Sequence, residues 1–356
     1  MPLLRTLNAH ITELIALIIL LVVLFFTSDS LITLNWVWWV AYSAIVLIAW
    51  LLALIVGGDK LVDWAENVSV YYWLPPLIVG MTILAMGTSM PELFVNIIAA
   101  FRGETGLLVA NVVWSNISNL MLIVWVTALI AAIPVKRMTI RTDITISIAA
   151  AWMVLVMISD WAISTIDGLI LLVTFWTFLA YLIKRAKIGE PYDDTLEPVK
   201  KHEMLQGLWY IALWIVALYV WGDALVTWAV SIASSLWVST LLIWASIVAI
   251  WTSVPELVTS MIAARKGQTD MAMGNIVWSN IFNLLWIIWV TALVKPIAVQ
   301  DLSVRIDVLY LIGVSILLAV FLAVQKWTTA KNISKRWGLI CILAYAAYLW
   351  FLLYRG

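Results

Sequence analysis

Cysteine and histidine are nearly missing: one Cys, Cys341, and two His, His10 and His202, stand among 356 residues. A single thiol excludes a disulfide framework and a CxxC metal site. Two histidines exclude a His-rich metal centre and leave little scope for imidazole catalysis. Both lie near polar flanks, where a solvated surface role is the plainer reading. Charge is scarce as well. Only 11% of residues are charged while 65% are hydrophobic, and the mean hydropathy is +1.07. Soluble domains average about 25% charged and 45–50% apolar residues. So little polar surface cannot coat a water-soluble globule of this length, which makes the chain a membrane protein. The formal net charge is zero and no basic stripe marks a nucleic-acid surface. Neither a His-Glu-x-x-His nor a Gly-x-Ser-x-Gly motif is present, so an intramembrane enzyme has no support. Glycine is the strangest shortage: 15 Gly against 24 Trp, in a class where glycine is usually frequent.

What is present is a series of long apolar runs. A bilayer-spanning helix needs about 20 apolar residues. Eleven runs meet that length approximately: 11–33, 36–58, 75–100, 106–132, 142–160, 166–184, 207–231, 239–263, 271–294, 304–325 and 338–354. The first lacks a clear small-x-small cleavage site before Asp29 and is read as a retained helix rather than a signal peptide. The longest polar stretch, Lys184 to Glu203, divides the chain. With the N-terminus inside, 15 of the 20 Lys and Arg fall in cytoplasmic segments, among them Lys136, Arg137, Lys184, Arg185, Arg265 and Lys266. Arg102, Lys295, Arg305 and Arg355 fall outside. That bias fits eleven spans.

The chain also repeats itself. Shifted by 164 residues it matches without a gap from about 50 to 129. Gly58-Asp59 meets Gly222-Asp223, and Thr88-Ser89-Met90-Pro91-Glu92-Leu93 meets Thr252-Ser253-Val254-Pro255-Glu256-Leu257. Trp114-Ser115-Asn116-Ile117 meets Trp278-Ser279-Asn280-Ile281, and Asn119 meets Asn283. The shift spans five helices, an odd number, so the copies cross the membrane in opposite directions. Inverted repeats mark secondary transporters, whose substrate site lies at the midplane between the copies. A duplicated scaffold without transport would have no need to keep Thr, Ser, Glu and Asn inside its spans.

Glu92 and Glu256 each lie within an apolar run. A carboxylate in the bilayer is costly and is by default a functional-site candidate; a helix-end acid reaching water is the plain alternative. Pro91 and Pro255 precede them, and each removes the partner of the carbonyl four residues earlier, Gly87 and Trp251. Free carbonyls beside Thr, Ser and Glu oxygens suit a hard cation such as calcium. Ser115 with Asn119, and Ser279 with Asn283, sit four apart and share a helix face. They can add neutral oxygens, or simply hold helices together. Two glutamates would neutralise one divalent ion, with two or more sodium ions or protons as competitors.

These motifs resemble the two alpha-repeat signatures of the calcium/cation antiporter superfamily, nearest its sodium/calcium exchanger branch. The resembling segments are Gly87-Thr88-Ser89-Met90-Pro91-Glu92 and Gly274-Asn275-Ile276-Val277-x-Ser279-Asn280-Ile281-Phe282-Asn283. The resemblance covers about residues 36–354. It implies an all-α polytopic fold of ten helices in two inverted five-helix repeats, to which this chain adds an N-terminal helix. The expected divisions are 1–34 for that helix, 35–184 for the first repeat, 185–206 for a cytoplasmic loop and 207–356 for the second repeat. Glu92 and Glu256 would be the shared ion ligands, with Thr88, Ser89, Thr252, Ser253, Ser115, Ser279, Asn119 and Asn283 around them. The implied activity is exchange of calcium for sodium by alternating access, with no catalytic residue and no cofactor. The implied location is the bacterial plasma membrane. Some exchangers carry aspartate where Asn283 stands, so proton- or potassium-coupled exchange is the alternative. A cation channel using the same acids is a further rival, although channels usually ring an axis with identical subunits.

The repeat also bears on the tryptophans. Gly57 aligns with Trp221, Gly80 with Trp244 and Gly87 with Trp251. Trp meets Trp at 50/214, 64/228, 73/237, 114/278 and 125/289. In the resembling family most of these positions are glycine. The largest side chain does not replace the smallest at close helix contacts, where overpacking costs about 1–3 kcal/mol. Some bacterial lineages read UGA as glycine and others as tryptophan. The pattern is that of UGA codons written as Trp where the cell inserts Gly; a truly Trp-rich variant is the alternative.

Overall fold

A computed structural model describes residues 76–103, 108–131, 139–189, 248–299, 301–325 and 335–355, with 57, 59–65, 67, 68, 70–72, 133 and 209. The expected spans 11–33, 36–58 and 207–231 lie outside these residues apart from positions 57 and 209, as do 239–247, Trp221 and Trp244.

The first half holds α1 (Gly80–Thr88) and α2 (Met90–Arg102), which meet at a 45° bend. Next come α3 (Leu108–Ile130), α4 (Arg141–Asp160) and α5 (Thr165–Gly189). The second half holds α6 (Ala249–Thr252), α7 (Val254–Arg265) and α8 (Thr269–Val294). It closes with α9 (Leu302–Gln325) and α10 (Lys335–Arg355). Among the described residues, α3, α4, α5, α8 and α9 are each long and apolar enough to cross a bilayer, and α1 with α2 makes one more bent span. The expected spans 75–100, 106–132, 142–160, 166–184, 271–294 and 304–325 each coincide with one of these, whereas 338–354 falls on α10, whose apolar stretch, Cys341–Phe351, is shorter.

Burial separates two classes of span. In α3 and α8, 78% of the apolar window is buried, against 39% in α4, 28% in α5 and 39% in α9. α3 and α8 form the centre, and the others present side chains such as Trp152, Val173, Trp176 and Leu317 outward. Apolar exposure on this scale suits lipid rather than water.

The inversion is visible in one set of contacts. α4 and α9 are repeat counterparts and pack together. Arg305, near the start of α9, donates to the carbonyls of Ile158 (2.6 Å) and Ser159 (3.0 Å) at the end of α4. Counterparts meeting end to start run antiparallel. Beside them β1 (Ala162–Ile163) pairs antiparallel with β2 (Ile297–Ala298). Away from this end, Lys266 reaches Asp59 (2.7 Å) and Asp63 (2.5 Å), joining the end of α7 to the segment 59–65.

Local chemistry explains the breaks. Pro91 and Pro255 sit in the first turns of α2 and α7, where a missing N–H removes no bond of those helices; the carbonyls of Gly87 and Trp251, expected to be free, each accept a backbone N–H where α1 and α6 end. Ser89 (φ −85°, ψ 8°) and Ser253 (φ −82°, ψ −3°) take the departure from helical geometry. Gly103 (φ +86°) and Gly267 (φ +81°) terminate the two helices in the same left-handed way, 164 residues apart, as glycine readily does. At Gly80, a Cβ would stand 2.6 Å from the Met271 carbonyl oxygen, so α1 approaches α8 to a distance that only glycine permits. Its counterpart in the sequence is Trp244.

Trp114 and Trp278 are both fully buried. Trp114 Nε1 donates to Asp307 at 2.9 Å, whereas Trp278 stacks on Phe178 at 4.7 Å and its Nε1 has no hydrogen-bond partner. A buried unpaired donor costs free energy, so the two counterpart tryptophans are not equally accommodated.

Candidate cation site

The bend between α1 and α2 and the break between α6 and α7 bring the two Thr-Ser-x-Pro-Glu segments against the central helices. Glu92 and Glu256 lie in the first turns of α2 and α7, where the positive helix end favours a carboxylate. Neither has any solvent exposure. Each acid takes its hydroxyl from a different source. Ser115 Oγ, on α3, donates to Glu92 Oε1 at 2.7 Å and shares a 2.7 Å hydrogen bond with Ser253 Oγ. Ser89 Oγ, from the first copy, donates to Glu256 Oε1 of the second at 2.8 Å. Thr252 stands beside Glu92 and Thr88 beside Glu256. The hydroxyl of Thr88 also donates to Asn275 Oδ1 at 3.0 Å.

All ten residues singled out in the sequence, Glu92, Glu256, Thr88, Ser89, Thr252, Ser253, Ser115, Ser279, Asn119 and Asn283, are buried. The expected shared face of Ser115 and Asn119 is present on α3, and that of Ser279 and Asn283 on α8. Both asparagines open π-helical turns, Asn119–Ile123 and Asn283–Ile287. Such widened turns are rare and frequent at functional sites.

Five side-chain oxygens in this group are buried and without a hydrogen-bond partner: Glu92 Oε2, Glu256 Oε2, Ser279 Oγ, Asn119 Oδ1 and Asn283 Oδ1. Unpaired buried acceptors are costly. A cation is the species that relieves several acceptor oxygens at once, and these are the neutral and anionic oxygens a hard ion prefers. Among the described residues no group of three or more His, Cys, Asp or Glu gathers, so a cation held here takes two carboxylates and neutral oxygens.

Several buried polar residues escaped the sequence-based choice. Asn116 and Asn280 lie within the quoted motifs and hydrogen-bond with each other and with Asn119 and Asn283 between α3 and α8. Asn111 donates to Asn96 Oδ1 at 2.9 Å, and its counterpart Asn275 donates to Ser260 Oγ at 3.0 Å. Asp143 and Asp307, also 164 apart, are buried acids on α4 and α9. Extending the self-comparison past residue 129 would have exposed them, since Arg141 and Asp143 meet Arg305 and Asp307.

The sodium/calcium exchanger protein family matches residues 42–184 and 206–354, one half of the chain each. CaxA of Alkalimonas amylolytica is 32% identical over 86% of this chain and 97% of its own length. The sodium/calcium exchanger MaX1 of Methanosarcina acetivorans is 26% identical over 88% of this chain and 99% of its own. Among solved structures, the sodium–calcium exchanger NCX_Mj soaked with zero Na+ and Ca2+ superposes with a TM-score of 0.65 at 25% identity, covering 85% of this chain and 96% of that one.

Proposed function

The chain belongs to the sodium/calcium exchanger protein family, and from that premise we propose that it exchanges calcium for sodium by alternating access at the Glu92–Glu256 site. The observation that carries this reading is the set of five buried, unpartnered oxygens around two fully buried carboxylates. Glu92 and Glu256 supply two negative charges, enough to neutralise one calcium ion. Asn119, Asn283 and Ser279 supply neutral oxygens. Thr88, Ser89, Thr252, Ser253 and Ser115 complete the shell, and Ser89 and Ser115 orient the acids through their hydrogen bonds. The broken backbone at Ser89 and Ser253 is buried beside these oxygens, where non-helical chain is tolerated within a membrane.

Calcium and sodium compete for the same two charges. When two or more sodium ions occupy the site, calcium leaves, and the loaded protein reorients to the other side. Antiparallel copies suit this cycle, because each can adopt the conformation of the other and so expose the site in turn. The proposed organisation is an extra helix in 1–34, repeats in 35–184 and 207–356 forming a ten-helix core, and a cytoplasmic loop in 185–206, in the bacterial plasma membrane.

Asn283 favours a second reading of the counter-ion. An amide there leaves two acids in the site rather than three, which lowers its capacity for several sodium ions at once and leaves proton- or potassium-coupled exchange as the alternative. Calcium flux into proteoliposomes under opposing sodium, potassium and proton gradients separates the readings. Uptake driven by an outward sodium gradient supports the first; uptake driven only by a potassium or proton gradient supports the second. Uptake needing no opposing cation gradient would overturn exchange in favour of a channel.

A further inference from the structure

Four asparagines at the crossing of α3 and α8 make a closed reciprocal network. Asn116 Nδ2 donates to the Asn280 backbone carbonyl at 3.1 Å, and Asn280 Nδ2 donates to the Asn116 carbonyl at 3.3 Å. A backbone carbonyl only accepts. Each amide nitrogen is therefore committed, and each side-chain oxygen is left as an acceptor. Asn280 Oδ1 accepts from Asn119 Nδ2 at 2.9 Å, and Asn116 Oδ1 accepts from Asn283 Nδ2 at 3.0 Å. That fixes the other end of each receiving amide. Asn119 Oδ1 and Asn283 Oδ1 stay buried and unpartnered. Reversing either amide would set two oxygens against each other at the network and turn an NH2 outward from it.

We propose that Asn116 and Asn280 are positioning residues that hold the amides of Asn119 and Asn283 with their oxygens toward the transported cation. The action crosses the repeats: Asn280 of the second copy orients Asn119 of the first, and Asn116 of the first orients Asn283 of the second. An asparagine presents an acceptor on one side and a donor on the other, so a site built from amides needs such a device and a site built from carboxylates does not. All four side chains are fully buried, so water cannot substitute for the missing partner. The inference rests on the cation-site reading above.

A carboxylate offers oxygen whichever way it turns, and this difference supplies the test. Half-saturating calcium is measured by radioactive calcium uptake into proteoliposomes for the parent, Asn280→Ala, Asn119→Asp and the double variant. Asn280→Ala is expected to raise the half-saturating concentration about tenfold, the usual effect of losing a partner that orients a metal ligand, with little change in maximal rate. In the Asn119→Asp background the same change should move it less than about threefold, because coupled sites are not additive. An equal loss in both backgrounds would assign Asn280 a purely structural role and overturn the proposal, as would no loss in the parent background. Asn116→Ala with Asn283→Asp repeats the cycle on the other side and carries the test if Asn280→Ala does not assemble. Full flux in both Glu92→Gln and Glu256→Gln would remove the site itself. Lost flux in those two with no coupling in the cycles removes this inference alone.

Discussion

Ser89 donates a 2.8 Å hydrogen bond to Glu256, across the boundary between the two copies of the repeat. Both groups are buried, and a hydrogen bond to a charged acceptor contributes more than a neutral one. Ser89→Ala is expected to raise half-saturating calcium about tenfold while the protein remains folded. Uptake titrations in proteoliposomes, with thermal unfolding as the control, check this. An unchanged titration would show that Ser89 does not shape the site.

Neutralising either acid should be far more severe. A unit charge about 4 Å from another contributes roughly 4 kcal/mol at an effective dielectric of 20, and a divalent ion doubles that. Glu92→Gln and Glu256→Gln are each expected to lower calcium flux by more than about a hundredfold. Full flux in both variants would refute the proposed site.

Gly80 tests the packing of α1 on α8. The Cβ of an alanine there would lie 2.6 Å from the Met271 carbonyl oxygen and 2.8 Å from its Cα. Backbone atoms cannot swing aside as a flexible side chain would. Gly80→Ala is expected to destabilise the protein by about 1–3 kcal/mol, read as a lower unfolding temperature in detergent. An unchanged temperature would mean that α1 is free to shift.

Lys266 gives a pH dependence with a defined sign. Its partial burial acts to lower the ammonium's affinity for its proton, but Asp59 and Asp63 outweigh that and raise it above the ordinary value of 10.5. A raised value means that the ion pair stabilises the fold at neutral pH, and that this contribution disappears only as pH rises beyond 10.5 and through the raised value. The groups are partly exposed, so the contribution is about 0.2–1 kcal/mol. The difference in unfolding temperature between the parent and Lys266→Met should hold constant from about pH 7 to 10 and close above that limit. A difference that closes as pH rises from about 7 to 9 would contradict this.

The tryptophan pattern predicts a chemical result. Peptide mass spectrometry of the natural protein is expected to return glycine masses at positions 114, 251 and 278, and the gene to carry UGA there. UGG at those three codons would sink the idea.

Much of the molecule was legible before any contact was known. The repeat could be read because Thr, Ser, Pro, Glu and Asn recur at one shift, and those are residue types that an apolar span does not keep without cause. Glu92 and Glu256 stood out because a carboxylate in a hydrophobic run is expensive wherever its partners lie. Asn116 and Asn280 were in view within the same motifs, yet nothing distinguished them from Asn119 and Asn283, three residues further on. Their partners lie more than 160 residues away, and hydrogen-bond direction is not written in residue type. Asp143 and Asp307 were hidden near the starts of their spans, where an acid usually reaches water.

The sequence alone determined that the chain enters a membrane, that it is built twice, and that each copy carries one acid beside a proline. Those properties follow from hydrophobic transfer, from periodicity and from backbone chemistry, which are local and nearly additive along the chain. The tertiary structure decided which serine meets which glutamate, which copies cross at Asn116 and Asn280, and which end of each amide is left over. Those depend on the distance and angle between helices far apart in sequence, and a change of about an ångström there exchanges a hydrogen bond for an unpaired group.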